Sequence, residues 1–212
     1  MYIAIEGVIG VGKTTLARLI HQSFQAELLL EVFEENPFLS DFYGDRQRYA
    51  FQTQIFFLLS RYHQQHATIP LALKADRMII SDYTFDKDSL FARINLSGDE
   101  LDMYFKVHEA LAEKIPLPDL VVYLRADTEV LMQRIAHRDR PYERQMESDY
   151  INQLNTAYES FFSNPDLNMT VLTIDTNDLN YISRSEDRLF IETRIRQTLQ
   201  MAPYQESLPL SD

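Results

Sequence analysis

Eight residues near the start of the chain constrain its fold more than any other stretch. The run from Gly7 to Thr14, GVIGVGKT, fits the pattern Gly-x-x-x-x-Gly-Lys-[Ser/Thr] without a mismatch. In such a loop, glycines let successive backbone N–H groups point at phosphate oxygens. The lysine can reach the β- and γ-phosphates, and the threonine hydroxyl suits Mg²⁺. The run therefore predicts a phosphate-binding loop for a nucleoside triphosphate.

The segments on either side of this loop support the prediction. Residues 2–6 form a short, mostly apolar run that is typical of a buried strand, and residues 14–24 carry apolar side chains at helical spacing. A strand, a loop and a helix in this order are what the motif requires, whereas the alternative is a glycine-rich turn with an accidental Lys-Thr. The residues predicted to contact ATP here are Gly7, Val8, Gly10, Val11, Gly12, Lys13, Thr14 and Thr15.

Composition narrows the class of protein. A chain of 212 residues with 45% hydrophobic content is long enough for one domain with a sizeable core, expected over residues 1–201, with a loose tail over 202–212. The formal net charge of -12 disfavours nucleic-acid polymers and anionic membranes as partners. The absence of cysteine fits a reducing compartment. Neither a signal peptide nor a membrane span is expected, so we predict a cytoplasmic protein.

Strand and helix patterns alternate along the chain, which predicts an α/β fold with a parallel five-stranded sheet flanked by helices. Apolar runs predict the strands 2–6, 28–30, 78–80, 119–124 and 170–174. Helical spacing predicts helices 14–24, 46–67, 86–96, 99–115, 128–137, 145–162 and 186–200, with Pro70 closing the long helical region. Ligands in such folds bind beyond the carboxyl ends of the strands, where Glu31 and Asp82 fall.

Glu31 follows the second predicted strand and would face the phosphate loop. A carboxylate there could accept the proton of a hydroxyl that attacks the γ-phosphate. The alternative is a solvated acidic turn.

One face of the long predicted helix carries polar groups. Gln54 and Arg61 lie seven residues apart and project from the same side, and Tyr43 could place its hydroxyl near the same cavity. A glutamine amide offers both a donor and an acceptor to a nucleobase edge. Each of these residues alone is also compatible with ordinary packing or a surface ion pair.

A cluster of arginines follows the fourth strand. Arg134 and Arg138 share a helix face, and Arg140 follows with Glu143 just beyond. In a chain with excess acid, such a cluster favours an anionic partner such as a transferring phosphoryl group. The alternative is a solvated basic face paired to nearby carboxylates.

Taken together, these spaced motifs resemble the deoxynucleoside kinase family over roughly residues 1–178. The resemblance implies a P-loop kinase fold of three layers with a short arginine-rich lid at about 134–144, ATP and Mg²⁺ as cofactors, and usually a homodimer. It implies catalytic roles for Lys13, Glu31, Arg138 and Arg140. It implies that Tyr43 and Glu143 bind the 3′-hydroxyl, that Gln54 binds the base edge and that Arg61 binds the base or its neighbours. It also implies that Arg134 and Arg138 contact the ATP phosphates, and that the loop with Asp175 and Asn177 touches the adenine.

The chain departs from the family pattern after the third strand. The family commonly has Glu-Arg-Ser or Asp-Arg-Ser there, whereas this chain has Ser81-Asp82-Tyr83, so the phosphate-binding arginine is absent. We expect Lys87 or Arg93 to supply the missing charge at the substrate, and Asp82 to serve the metal with Thr14.

The resemblance implies transfer of the ATP γ-phosphate to the 5′-hydroxyl of a deoxyribonucleoside, in nucleotide salvage. The segment from Asn36 to Leu39 is closer to bacterial purine kinases, which favours deoxyadenosine or deoxyguanosine, with deoxycytidine next. Two alternatives stay open: a nucleotide kinase similar to thymidylate kinase, and a nucleotide-binding subunit without catalysis.

Overall fold

Five parallel strands build the sheet within residues 1–203, the part of the chain that the computed structural model describes. Their bounds are β1 Tyr2–Glu6, β2 Glu27–Leu29, β3 Ile79–Ser81, β4 Leu120–Arg125 and β5 Val171–Asp175. The order across the sheet is β2-β3-β1-β4-β5, and every neighbouring pair is parallel. The predicted five-stranded parallel sheet is confirmed.

Helices cover both faces of this sheet. Their bounds are α1 Lys13–Ile20, α2 Leu39–Gly44, α3 Arg46–Lys74, α4 Lys87–Asn95, α5 Gly98–Ala112, α6 Thr128–Arg138, α7 Ser148–Phe162 and α8 Ser185–Thr198. Two short 3₁₀ turns lie at Phe33–Glu35 and Pro141–Glu143. Among the described helices, none is both long and apolar enough to cross a membrane.

Burial explains why β1 lies at the centre of the sheet. All five of its residues are buried, and their side chains alternate between two clusters. Ile3 and Ile5 belong to the large apolar cluster, whereas Tyr2 and Ala4 belong to a smaller one. A strand buried on both faces reads as a continuous apolar run, which is how the sequence presents it.

The prediction that Pro70 closes the long helical region is wrong, because α3 continues through this proline to Lys74. A proline inside a helix costs about 3 kcal/mol. Ile69, just before the proline, and Ala72, just after it, are buried in the smaller apolar cluster, and this packing offsets the lost hydrogen bond. Tertiary burial therefore overrides the local signal.

Other element bounds differ from prediction by a few residues. The first helix ends at Ile20 rather than at 24 and is followed by tight turns, although Phe24 is still buried. The helix predicted from 145 begins at Ser148, after the second 3₁₀ turn. The short helix α2 was not predicted, since six residues are too few to show a period. Of the predicted tail, Ala202 and Pro203 have no regular structure, and residues 204–212 lie outside the described residues.

The parallel arrangement brings three loops together at one edge of the sheet. The phosphate loop follows β1, Glu31 follows β2, and Asp82 follows β3. Because β3 pairs with both β1 and β2, the side chains after these strands converge.

Candidate active site

The phosphate loop depends on glycine at its two ends. Gly7 and Gly12 have φ of +146° and +104°, which side-chain-bearing residues rarely adopt. A Cβ on Gly7 would collide with the carbonyl oxygen of Leu124, and one on Gly12 would collide with the hydroxyl of Tyr181. The Tyr181 hydroxyl also donates a hydrogen bond to the carbonyl oxygen of Val11 at 2.9 Å, which holds the loop in place.

Lys13 folds back into this loop. Its Nζ donates to the carbonyl oxygens of Gly7, at 2.7 Å, and Val8, at 3.1 Å. Burial, assisted by the positive charge of Lys87, lowers the pKa of Lys13 to about 8. An incoming phosphate group would offer this ammonium group a stronger acceptor than two carbonyl groups, so the lysine is poised for an anion.

Glu31 lies between two cations. Lys87 Nζ contacts one carboxylate oxygen at 2.6 Å, and Arg61 Nε donates to the other at 3.0 Å. Burial by itself raises the pKa of Glu31, but Arg61 and Lys87 outweigh it and hold this pKa well below its usual range. Glu31 is therefore a carboxylate at every physiological pH, and its prediction as a site residue that faces the phosphate loop agrees with its place in the cavity wall.

Arg61 also forms an ion pair with Asp88, a residue of α4 that is completely buried. Asp88, Arg61, Glu31 and Lys87 thus form a row of alternating charges that closes one end of the cavity. The structure separates the two candidates for the missing charge, because Lys87 enters this row whereas Arg93 stacks on Phe105 at 4.4 Å. Arg61 therefore contacts the Glu31 carboxylate while it lines the same cavity as Gln54.

Thr14 and Asp82 are in direct contact. The Thr14 hydroxyl donates to one Asp82 oxygen, and the other accepts the backbone N–H of Glu31 at 2.8 Å. Hydroxyl and carboxylate oxygens are the ligands that Mg²⁺ prefers. Among the side chains that the structure describes, no group of three or more His, Asp or Glu residues could hold a metal ion.

A cavity of about 370 Å³ joins these groups. Sequence-predicted residues in its wall are Gly10, Gly12, Lys13, Thr14, Thr15, Glu31, Tyr43, Gln54, Arg61, Lys87, Arg138, Arg140 and Glu143. The cavity volume is in the range of small-molecule sites in proteins. The tertiary fold therefore brings the phosphate loop, the carboxylate and the α3 residues to one place.

Aromatic residues that the sequence analysis missed line the same cavity. They are Phe33, Phe42, Phe57, Phe91 and Tyr142. Tyr142 stacks on Tyr43, with 6.0 Å between ring centroids, and burial holds the pKa of Tyr43 far above its usual value. Tyr43 therefore keeps its proton and can donate a hydrogen bond. Phe33 and Tyr142 lie on 3₁₀ turns, where no periodic pattern marks them.

Glu143 connects the arginine cluster to the cavity. Arg138 donates to both of its carboxylate oxygens, at 2.6 and 2.8 Å from one nitrogen, and Arg140 lies 3.6 Å away. The guanidinium group of Arg140 also lies 4.2 Å from the ring centroid of Phe33. Glu143 itself is buried. These contacts place two arginines and one carboxylate over the cavity beside Tyr43.

Some predicted ATP contacts lie outside the cavity wall. Arg134 donates to the hydroxyl of Thr176 at 3.0 Å and to the carbonyl of Val11 at 3.4 Å, and so ties the loop after β5 to the phosphate loop. Asn177 accepts the backbone N–H of Asp127 at 2.8 Å, and Asp175 accepts the N–H of Asn177 at 3.0 Å. Gly7, Val8, Val11, Arg134, Asp82, Asp175 and Asn177 do not line the cavity.

Comparison with known protein families extends the similarity beyond the phosphate loop. The model of the family described as "Deoxynucleoside kinase" matches residues 3–200. Deoxyguanosine kinase of Bacillus subtilis (strain 168) is 35% identical over 201 residues, which cover 93% of this chain and 97% of that protein. Deoxyadenosine kinase of Dictyostelium discoideum is 35% identical over 182 residues, which cover 84% of this chain and 73% of that protein.

Solved structures agree with the sequence comparison. Deoxyadenosine kinase from M. mycoides with bound dCTP superposes with a TM-score of 0.78 at 27% identity, covering 93% of this chain and 100% of that one. The same enzyme with bound dATP gives a TM-score of 0.79 at 26% identity, covering 92% and 99%. The similarity spans the sheet and its surrounding helices.

Proposed function

This chain belongs to the deoxynucleoside kinase family, and from that premise we propose that it transfers the γ-phosphoryl group of ATP to the 5′-hydroxyl of a purine deoxyribonucleoside. The observation that carries the proposal is the position of Glu31, a permanently ionised carboxylate in the wall of the cavity that also contains Lys13 and Thr14. A noncatalytic nucleotide-binding subunit has no use for such a carboxylate beside a γ-phosphate site.

The donor end of the site would bind the triphosphate. Backbone N–H groups of the phosphate loop and the Lys13 ammonium group would hold the phosphates, and Thr14 with Asp82 would hold Mg²⁺. When bound, Mg²⁺ neutralises charge on the phosphate oxygens. Arg138 and Arg140 would leave Glu143 and turn to the transferring group, which is the action that we propose for the arginine-rich lid at 134–144.

Glu31 would orient the 5′-hydroxyl and receive its proton. Because Arg61 and Lys87 lower the pKa of this carboxylate, it is a weak base, and the proton is transferred late, when the hydroxyl oxygen has already begun to bond to phosphorus. A loose transition state, in which bond formation lags behind bond breaking, tolerates such late transfer. Positioning and charge stabilisation would therefore account for most of the rate.

Lys87 would replace the arginine that the family carries after the third strand. Its Nζ is held 2.6 Å from Glu31, at the end of the cavity near Lys13. A cation at this position can stabilise negative charge on the transferred phosphoryl group as it reaches the 5′-oxygen.

The acceptor end would hold the sugar between Tyr43 and Glu143. A hydroxyl donor and a carboxylate acceptor are complementary to the 3′-hydroxyl, which can both accept and donate a hydrogen bond. The packed rings of Tyr142 and Tyr43 would leave no room for a 2′-hydroxyl and so would exclude ribonucleosides.

The base would lie among the aromatic side chains with its edge toward Gln54. Relatives similar to this chain over most of its length are named deoxyguanosine and deoxyadenosine kinases, which favours a purine, with deoxycytidine next. We place the reaction in nucleotide salvage in the cytoplasm, in agreement with the absence of cysteine.

A homodimer through α3 and α5 is also part of the proposal. Leu59 on α3 and Met103 on α5 are 40% and 51% exposed, and these two helices pack side by side. Replacing both residues with glutamate should give a monomer in a light-scattering measurement, whereas Ile182→Glu, at an exposed apolar residue elsewhere, should not. A wild-type monomer at micromolar concentration would contradict this assembly.

The test of the reaction uses ATP labelled in its γ-phosphate together with deoxyguanosine. The label should appear in the 5′-monophosphate. Release of the label only as inorganic phosphate would overturn the proposal, because it would indicate ATP hydrolysis without a nucleoside acceptor.

A further inference from the structure

Thr53 is a buried polar residue of α3 that the proposed mechanism leaves without a role. Its relative exposure is 0%, it lines the cavity, and its hydroxyl oxygen has no hydrogen-bond partner among the described residues. Leaving a buried hydroxyl unpaired costs about 1–3 kcal/mol. Valine has nearly the same shape and no such cost, so the hydroxyl indicates an interaction with a ligand.

The backbone carbonyl of Thr53 has a hydrogen-bond partner, so the hydroxyl is the unpaired group of this residue. The amide of Asn36, itself buried, donates to the Thr53 carbonyl at 3.3 Å. This contact fixes α3 against the segment that follows β2. Next to Thr53, the Gln54 side chain is 3% exposed and makes no hydrogen bond among residues 1–203. Two adjacent polar residues are thus buried at the cavity, and the Thr53 hydroxyl has no hydrogen-bond partner among the described residues.

Position along α3 assigns these two residues to the base. Arg61 marks the phosphoryl end of the cavity, because it contacts Glu31. With a rise of 1.5 Å per residue, Thr53 lies about 12 Å further along the helix axis. Phe57 lies one helical turn from Thr53 and one from Arg61, and it forms part of the cavity wall between these two residues. A nucleoside with its 5′-hydroxyl at Glu31 would therefore have the far edge of its base near Thr53 and Gln54.

We propose that Thr53 is a specificity-determining residue that reads the substituent at C6 of a purine, an inference that rests on the proposed function. A hydroxyl can rotate its proton, so it can donate to the 6-oxo group of deoxyguanosine or accept from the 6-amino group of deoxyadenosine. Gln54 would pair with the neighbouring ring nitrogen. Arg61, the other polar residue of α3 in the cavity wall, is already paired with Glu31 and Asp88. The arrangement accepts both purines and requires a C6 substituent for full activity.

The test combines two variants with three substrates. Thr53→Val removes the hydroxyl while keeping the shape, and Thr53→Ser is the matched control that keeps the hydroxyl. The substrates are deoxyadenosine, deoxyguanosine and purine 2′-deoxyriboside, which has only hydrogen at C6. For Thr53→Val, kcat/KM should fall about 10-fold for the first two substrates, as expected for one lost hydrogen bond, and should stay near the wild-type value for the third. Thr53→Ser should stay near wild type with all three.

The outcomes separate this inference from the proposed function. Equal kcat/KM losses with all three substrates, or no loss with any, would overturn the role of Thr53. Thermal unfolding of each variant identifies a loss that arises from misfolding, and the ratio between substrates is insensitive to the amount of folded enzyme. Wild-type protein that phosphorylates no deoxyribonucleoside would overturn the proposed function, and this inference with it.

Discussion

Lys87 Nζ lies 2.6 Å from Oε2 of Glu31, so the helix after β3 supplies a cation to the carboxylate after β2. The Lys87 side chain is buried and that of Glu31 is largely buried, at 7% and 12% exposure. A buried carboxylate beside phosphate groups would repel them unless its charge were balanced. Lys87 and Arg61 provide that balance and keep Glu31 ionised at the same time.

Loss of the Lys87 charge should therefore slow the chemical step. We expect Lys87→Met to lower kcat about 10²- to 10³-fold, the usual effect of removing a group that stabilises transition-state charge. Lys87→Arg should keep most of the activity. Arg93→Met is a control on the same helix and should behave like wild type, because Arg93 stacks on Phe105 away from the cavity. If Lys87→Met kept the full kcat, the Lys87 ammonium group would have only a structural role.

Glu31→Gln keeps the shape of the side chain and removes its charge. We expect kcat to fall about 10²- to 10⁴-fold with little change in the nucleoside Kd, since general-base catalysis contributes that much. Removing one partner of a buried ion pair also costs about 3–5 kcal/mol of stability. Unfolding must therefore be measured for this variant at the assay temperature. An equal loss of nucleoside binding would indicate that Glu31 has a structural role.

Lys13 predicts a pH dependence of ATP binding. In the empty site burial lowers the pKa of Lys13 to about 8, so above that pH the amine is largely neutral. Bound phosphate favours the charged form and raises this pKa, so binding must take up a proton and ATP affinity must fall as the pH rises through about 8. Calorimetry in buffers with different ionisation enthalpies measures this uptake. Lys13→Arg, which stays charged, should abolish the uptake; its absence in the wild type would contradict the assignment.

The contact between Thr14 and Asp82 predicts a dependence on Mg²⁺. Asp82→Asn keeps an acceptor oxygen but removes the charge, and the Mg²⁺ concentration for half-maximal activity should rise about 10- to 100-fold, as for other groups that support a metal ligand. Thr14→Ser retains the hydroxyl and is the matched control. Unchanged Mg²⁺ dependence in Asp82→Asn would remove Asp82 from the metal site.

Local patterns were enough to predict the sheet and the phosphate loop. The GVIGVGKT run, the apolar strands and the seven-residue spacing of Gln54 and Arg61 each depend on residues close in sequence. The structure confirms the strands, and it places residues of the run, Gln54 and Arg61 in the wall of one cavity. Parallel strands then bring Glu31 and Asp82 to one edge without further information.

Contacts between side chains of distant elements could not be predicted from the sequence. The ion pairs of Arg61 with Glu31 and Asp88 were not predicted, because they depend on how closely α3 approaches α4 and the segment after β2. Tyr142 was missed because it lies on a 3₁₀ turn without a period. The length of α3 depends on burial of Ile69 and Ala72, which a local rule about proline does not contain.

Phosphoryl transfer from Mg-ATP to a panel of acceptors is the first measurement to make on this protein. The panel contains deoxyadenosine, deoxyguanosine, deoxycytidine, thymidine, the matching ribonucleosides and the corresponding monophosphates. We predict turnover with the purine deoxyribonucleosides, less or none with the pyrimidines, and none with ribonucleosides or monophosphates. Turnover only with a monophosphate would contradict the account and indicate a nucleotide kinase, and ATP binding without any turnover would indicate a noncatalytic subunit.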